Sequence, residues 1–149
     1  MSAEAAADVA AVESVNQEFY AAFEHADLDR MSAVWGTDEN GYEIGCVHPG
    51  WPLLRGRSEV LRSWALIMAN TPYIQFVLTD VQVRVFGDVA VLTCAENILT
   101  AGEAGESSFA AGGRVVSTNT FTRTPDGWRL WLHHGSPVLQ GEVDEDEES

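Results

Sequence analysis

Apolar residues recur at three- and four-residue steps near the start of the chain, at Val9, Val12, Val15, Phe19 and Phe23. That is the period of an amphipathic helix, and it predicts one from about Glu4 to His25. Asp27 reads as the N-cap of a short second helix bearing Leu28, Met31, Val34 and Trp35. The polar, turn-forming stretch Gly36 to Gly41 ends it, and Tyr42 to His48 reads as a short strand stopped by Pro49-Gly50. Ser58 is placed to cap a third helix, with Val60, Leu61, Trp64, Ile67 and Met68 on its apolar side and Asn70-Thr71-Pro72 at its end.

Beyond Pro72 the period changes from about 3.6 to two, which is the signature of strands. In the strand from Tyr73 to Phe86, Ile74, Phe76 and Leu78 share one parity while Val81, Val83 and Val85 share the other. A single extra residue accounts for that change of phase, so a β-bulge is expected near Thr79-Asp80. Gly87-Asp88 is a two-residue hairpin turn leading into a strand over Val89–Thr100. Ala101 to Gly113, rich in Gly, Ala, Ser and Glu, reads as a long mobile loop; Arg114–Arg123 and Trp128–Val138 read as the closing hairpin. Three helices followed by a curved antiparallel sheet make an α+β domain. A bent sheet wrapped around helices leaves a cone whose mouth can hold a ligand. The strand around Val89, Val91 and Ala95 is apolar on both faces. Helices cover only one face, so a homodimer through the sheet is expected.

Length fits one domain over residues 1–141, followed by an acidic tail over 142–149 that is expected to be disordered. The net charge is −15, with six carboxylates in that tail; without them, eight arginines against seventeen carboxylates still leave −9. Such a surface repels a phosphate backbone, which argues against nucleic acid as a partner. The basic residues are all arginine, so Schiff-base chemistry on a lysine is excluded. No apolar run approaches the roughly 20 residues of a membrane span, and the N-terminus lacks a signal peptide's basic and apolar regions. Cys46 and Cys94 form no CxxC pair and read as buried, reduced thiols of a cytoplasmic protein.

The chemistry concentrates on a few positions. Glu96 sits in an apolar row with Leu92, Cys94 and Ile98, where desolvation raises a carboxyl pKa. His48 and His134 each end a strand and are candidate general acids or bases beside it. In the last strand Leu130, Leu132, His134 and Ser136 share one face, and Arg129, Trp131 and His133 the other, so one imidazole is carried inward whichever face is internal. Asn119 is a candidate polar anchor for a ligand carbonyl, and Trp35, Tyr42, Trp51, Trp64 and Phe76 are candidate pocket walls. Adjacent strand histidines face opposite ways, so no metal site is expected. Nucleophile-elbow, P-loop, dinucleotide and H-E-x-x-H motifs are absent from the sequence, and no cofactor is expected.

Several of these segments together resemble the SnoaL-like branch of the nuclear transport factor 2-like superfamily. They are Phe19-Tyr20-Ala21-Ala22-Phe23 with Asp27-Leu28 and Met31; Trp35; Cys46-Val47-His48-Pro49-Gly50-Trp51; and Gly56-Arg57 with Val60, Ser63 and Trp64. Gly87-Asp88-Val89-Ala90, Asn119 with Phe121 and Arg123, and Gly127-Trp128-Arg129-Leu130 through His134 and Ser136 complete the set. The resemblance implies an α+β cone with a deep pocket, commonly in a homodimer. It does not fix the activity, since the superfamily holds polyketide cyclases, ketosteroid isomerases, dehydratases, epoxide hydrolases, kinase association domains and non-catalytic binders. Three readings follow: a homodimeric pocket protein for a small hydrophobic molecule; a cofactor-free isomerase, cyclase or dehydratase working through Glu96 and a pocket histidine; or an assembly domain.

Overall fold

The computed structural model describes residues 2–39, 42–101 and 109–139. Helix α1 spans Ala3–Glu24, opened by Ser2, whose hydroxyl accepts from the Ala5 amide. It buries Val12, Asn16, Phe19, Tyr20 and Ala22. Helix α2, Leu28–Val34, starts at the expected cap, Asp27 accepting from the Arg30 amide at 3.0 Å. Its C-terminal carbonyls are satisfied from another element: the Arg57 guanidinium donates to Ser32 O, Trp35 O and Gly36 O.

Helix α3 runs Arg57–Ala69 and starts one residue before the expected Ser58 cap. Gly56, at φ +90°, takes the N-cap position, and the Arg57 amide donates instead to Asp38 Oδ2 at 2.9 Å. A carboxylate brought in from the α2–β1 connection does the work a local serine would have done.

The six strands are β1 (Gly45–Val47), β2 (Leu54–Arg55), β3 (Ile74–Phe86), β4 (Val89–Ala101), β5 (Phe109–Thr124) and β6 (Gly127–Pro137). They form one sheet in the order β2-β1-β6-β5-β4-β3. Pairing is antiparallel except between β1 and β6, which run parallel, so the sheet is mixed. The expected strand Tyr42–His48 shrinks to three residues, and the two-residue β2 carries too little pattern to be read from sequence. Much of the expected loop from Ala101 to Gly113 lies outside the described residues, but its last part is strand, β5 beginning at Phe109. The acidic tail at 142–149 also lies outside them.

The sheet has three register shifts, one of them between β4 and β5 where Ile98 pairs with Gly113 and Leu99 with Ala111, and the other two set the geometry of the site. Thr79 pairs with Ala95 and Gln82 with Thr93, so Asp80 and Val81 together oppose Cys94, at the point where the change of parity placed a bulge. Asp80 takes φ +56°, a strained value for a residue with a Cβ. In the second bulge Thr120 pairs with Leu132 but Phe121 with Leu130, leaving Trp131 as the extra residue. Both bend the sheet around α1. Phe19, Met31, Ile44, Val60, Leu92, Phe121 and Leu130 pack in the core between helices and sheet. The opposite face of β5 carries Val116, Thr118, Thr120 and Thr122 in alternation with buried Val115, Ser117, Asn119 and Phe121.

Candidate functional site

A cavity of about 290 Å³ opens between α1, α3, the turn after β1 and the inner face of the sheet. Its wall is aromatic and aliphatic: Phe19, Phe23, Trp51, Trp64, Phe76, Ile67, Ile74, Ile98 and Pro49. Its polar groups are four, namely Tyr20, His48, Glu96 and His133.

Glu96 reaches the cavity from β4 because the alternation that buries Leu92 and Cys94 continues through it. It is 5% exposed. Its Oε2 accepts from Tyr20 Oη at 2.5 Å and from the Ser117 hydroxyl on β5. Burial holds the carboxyl pKa above its ordinary value, against the pull of the Ser117 and Tyr20 hydrogen bonds. Tyr20 is pushed well above the ordinary phenol value by burial and by the neighbouring Glu96 charge. Tyr20 is therefore a donor, and Glu96 is the group that titrates.

His48 follows β1 and is held over α3, its Nε2 lying 2.9 Å from Ser63 Oγ. The Ser63 hydroxyl directs its proton to Val60 O at 2.6 Å, so Nε2 of His48 is the donor in that pair and Nδ1 carries the lone pair. Trp51 and Trp64 pack edge-on to the imidazole, at 4.9 and 4.7 Å between centroids. Burial lowers the His48 pKa to about 4. Gly135 of β6 shapes this turn: a Cβ there would lie 3.2 Å from Pro49 Cγ and from Val115 Cγ1, tighter than packing allows without movement.

The imidazole that β6 turns inward is His133, not His134. His133 is 4% exposed and lies against Phe19, 4.9 Å between ring centroids, while His134 faces out. Strict alternation would bury Leu130 and His134 together; the extra residue at Trp131 changes the phase, so Leu130 and His133 are both internal. Burial, with smaller effects from His48 and His134, lowers the His133 pKa to about 3.

The other expected wall residues divide. Trp51, Trp64 and Phe76 line the cavity. Trp35 is 2% exposed within the core, and Tyr42 is 68% exposed. Both border a different, larger hollow of about 570 Å³ between the 36–44 connection and the β5–β6 turn, which holds neither Glu96 nor any histidine. Asn119 is fully buried behind the cavity: Nδ2 donates to Asn16 Oδ1 at 2.8 Å and, at 3.4 Å, to Tyr20 Oη, and Oδ1 faces His133 Nδ1 at 2.6 Å. It supports the wall rather than forming it. Among the described residues no three His, Cys, Asp or Glu side chains converge as a metal's ligands.

The sequence pattern does not single out Tyr20, Ser117 or Asn16, and it expects an inward imidazole on β6 but puts His134 rather than His133 among the site residues. Tyr20 follows core residue Phe19 on the buried face of α1, and a tyrosine there calls for a buried partner for its hydroxyl. That was the available signal.

The comparisons agree with this architecture. A crystal structure from Streptomyces avermitilis, named a "putative dehydratase from the NTF2-like family", is 51% identical, covering 89% of this chain and 97% of its own at a TM-score of 0.82. A Thiobacillus denitrificans structure, named a "putative calcium/calmodulin-dependent protein kinase type II association domain", is 30% identical over 85% of this chain and 94% of its own, TM-score 0.72. The F-box protein SKIP8 of Arabidopsis thaliana is 27% identical over 129 residues; the chain spans about half the length of that curated relative. With residues 12–140 matching the SnoaL-like domain and the α+β cone in place, the chain belongs to the SnoaL-like family of the nuclear transport factor 2-like fold.

Proposed function

We propose that the cone binds a small, uncharged, largely apolar molecule and moves a proton on it without a cofactor, in an isomerisation or dehydration. One observation carries this reading: a carboxyl group of raised pKa opens onto the same apolar cavity as two neutral imidazoles. Environments that push titratable groups apart in this way mark acid–base sites. Magnitudes assign the roles. Histidines held at about 4 and about 3 are weak bases at neutral pH, whereas a carboxyl raised by burial is a stronger base than an ordinary one. Glu96 therefore takes and returns the proton, and His48 and His133 hold the ligand. At about 290 Å³ the cavity lies just below the roughly 300–1,000 Å³ range of ligand pockets, which suits a one- or two-ring molecule.

The name of the Streptomyces avermitilis protein supports the dehydration branch, and a cavity that the protein's own side chains leave open favours ligand binding over an assembly domain. The homodimer is part of the proposal. Val77, Leu99 and Val116 stand 52%, 38% and 48% exposed on adjoining strands, and a second sheet would cover them. A scattering mass near 16.2 kDa at micromolar concentration would count against it. A cytoplasmic setting rests on the two free, buried cysteines.

The test is deuterium incorporation at the α-carbon of 4-hydroxy-1-tetralone in D2O. The protein should accelerate exchange over buffer. Glu96→Gln should reduce the acceleration about 100-fold or more while the probe still binds. Exchange unchanged by Glu96→Gln, or a bound probe that does not exchange, would overturn the assignment.

A further inference from the structure

The hydrogen bonds behind the cavity determine which ring nitrogen of His133 carries a proton. Tyr20 Oη directs its proton to Glu96 Oε2, so its remaining lone pairs can only accept. The Asn119 atom facing Tyr20 must then be the amide nitrogen, which also suits Asn16 Oδ1. Asn119 therefore turns its oxygen toward His133, 2.6 Å from Nδ1. Nδ1 is the protonated nitrogen, and Nε2, with no protein partner among the described residues, presents a lone pair at the cavity wall. His48 is fixed in the same sense by a separate route, because Ser63 directs its own proton to Val60 O and leaves Nε2–H as the donor. Cys46 Sγ lies 3.8 and 3.7 Å from Nδ1 and Nε2 of the same ring, so its thiol can donate to the Nδ1 lone pair without changing that assignment.

The wall thus offers acceptors. Of its two indoles, Trp64 buries Nε1 within the wall without a partner and Trp51 is the 38% exposed residue at the rim, while the Tyr20 hydroxyl is already engaged. We infer that the cavity selects ligands that bring a hydroxyl donor to His133 Nε2, and that Asn119 is the positioning residue that makes it do so. The inference rests on the reading of this cavity as a small-molecule site and extends it to the class of ligand: an alcohol in preference to a ketone, ether or hydrocarbon of the same skeleton.

Two measurements test it. Long-range ¹H–¹⁵N correlation spectra of the ligand-free protein should show His133 Nδ1 as the protonated, pyrrole-like nitrogen and Nε2 as the pyridine-like one. In Asn119→Leu that fixed assignment should be lost. Calorimetry with 1-tetralol, 1-tetralone and tetralin should give roughly tenfold tighter binding of the alcohol than of the ketone, the discrimination one hydrogen bond to a buried acceptor supplies. His133→Phe, checked for folding by its circular dichroism, should abolish that preference, so that the alcohol and the ketone bind alike. A reversed tautomer, a ketone that binds as tightly as the alcohol, or a preference that survives His133→Phe would overturn the inference. Binding is read without turnover. A protein that prefers the alcohol yet exchanges no α-proton refutes the acid–base assignment alone, and one that exchanges through Glu96 without the preference refutes this inference alone.

Discussion

The pair Asn119–His133 is the joint on which the site's geometry depends, and its energy can be worked from its partners. Asn119→Leu keeps about the same volume in a fully buried position but leaves Asn16 Oδ1 and the His133 Nδ1–H facing a methyl group. Each buried polar group left unpaired costs about 1–3 kcal/mol, or roughly 2–6 kcal/mol together. A domain of this size is stable by only about 5–15 kcal/mol, so the loss is large. With a urea slope of about 2 kcal/mol/M, the unfolding midpoint should fall by roughly 1–3 M with the slope unchanged. His133→Phe alone should cost about 1–3 kcal/mol, because it orphans Asn119 Oδ1. The double variant removes both ends of that bond, so it should be more stable than the sum of the singles implies by about 1–2 kcal/mol. Urea melts of the four proteins at pH 7 close the cycle. Single effects that add within about 0.5 kcal/mol would show that the two side chains do not share a hydrogen bond.

Three further outcomes follow from burial. Glu96 has a folded pKa above its unfolded value, so its favourable contribution is present below the unfolded pKa and is lost as pH rises through the folded one. Glu96→Gln, neutral throughout, should therefore gain melting temperature relative to the parent between pH 4 and pH 8, and a difference that stays flat over that range would refute the desolvation. His48 and His133 have the opposite sense: depressed from 6.5 to about 4 and about 3, they withdraw stability as pH falls below 6.5. The acid limb of the melting curve should flatten in a His48→Gln, His133→Phe double variant; a limb of unchanged steepness would assign acid loss to other groups. Burial raises the Cys46 thiol and pushes Cys94 up to about 11, so iodoacetamide at pH 8 should label neither in the native protein and both in urea, by mass spectrometry. Full labelling of the native protein would contradict their placement.

Most of the fold was legible because its signals are local. The switch from a period of 3.6 to two located the helices and long strands, and the opposed parities of Ile74–Leu78 and Val81–Val85 located the first bulge. The second bulge was not legible: Leu130 and Leu132 bracket Trp131 in unbroken alternation, and the extra residue shows only in the pairing with β5. That single residue turns His133 rather than His134 inward. The Gly56 cap depends on Asp38, nineteen positions before the amide it binds. Glu96 stood out as a charge in an apolar row, but its partners Tyr20 and Ser117 lie 76 and 21 residues away, on elements whose contact no periodicity encodes. Trp35 and Asn119 are aromatic and polar as a pocket residue should be, yet core packing and a buried hydrogen-bond hub require the same residue types.

The central claim is that Glu96 is a desolvated carboxyl facing the ligand. Its titration tests this most directly, followed through the side-chain ¹³C carboxyl resonance and identified by subtraction of the Glu96→Gln spectrum. The account predicts a midpoint above the ordinary 4.5, moving further up when tetralin fills the cavity and displaces water from beside the carboxylate. A midpoint at or below 4.5, or one indifferent to the filling of the cavity, would contradict it.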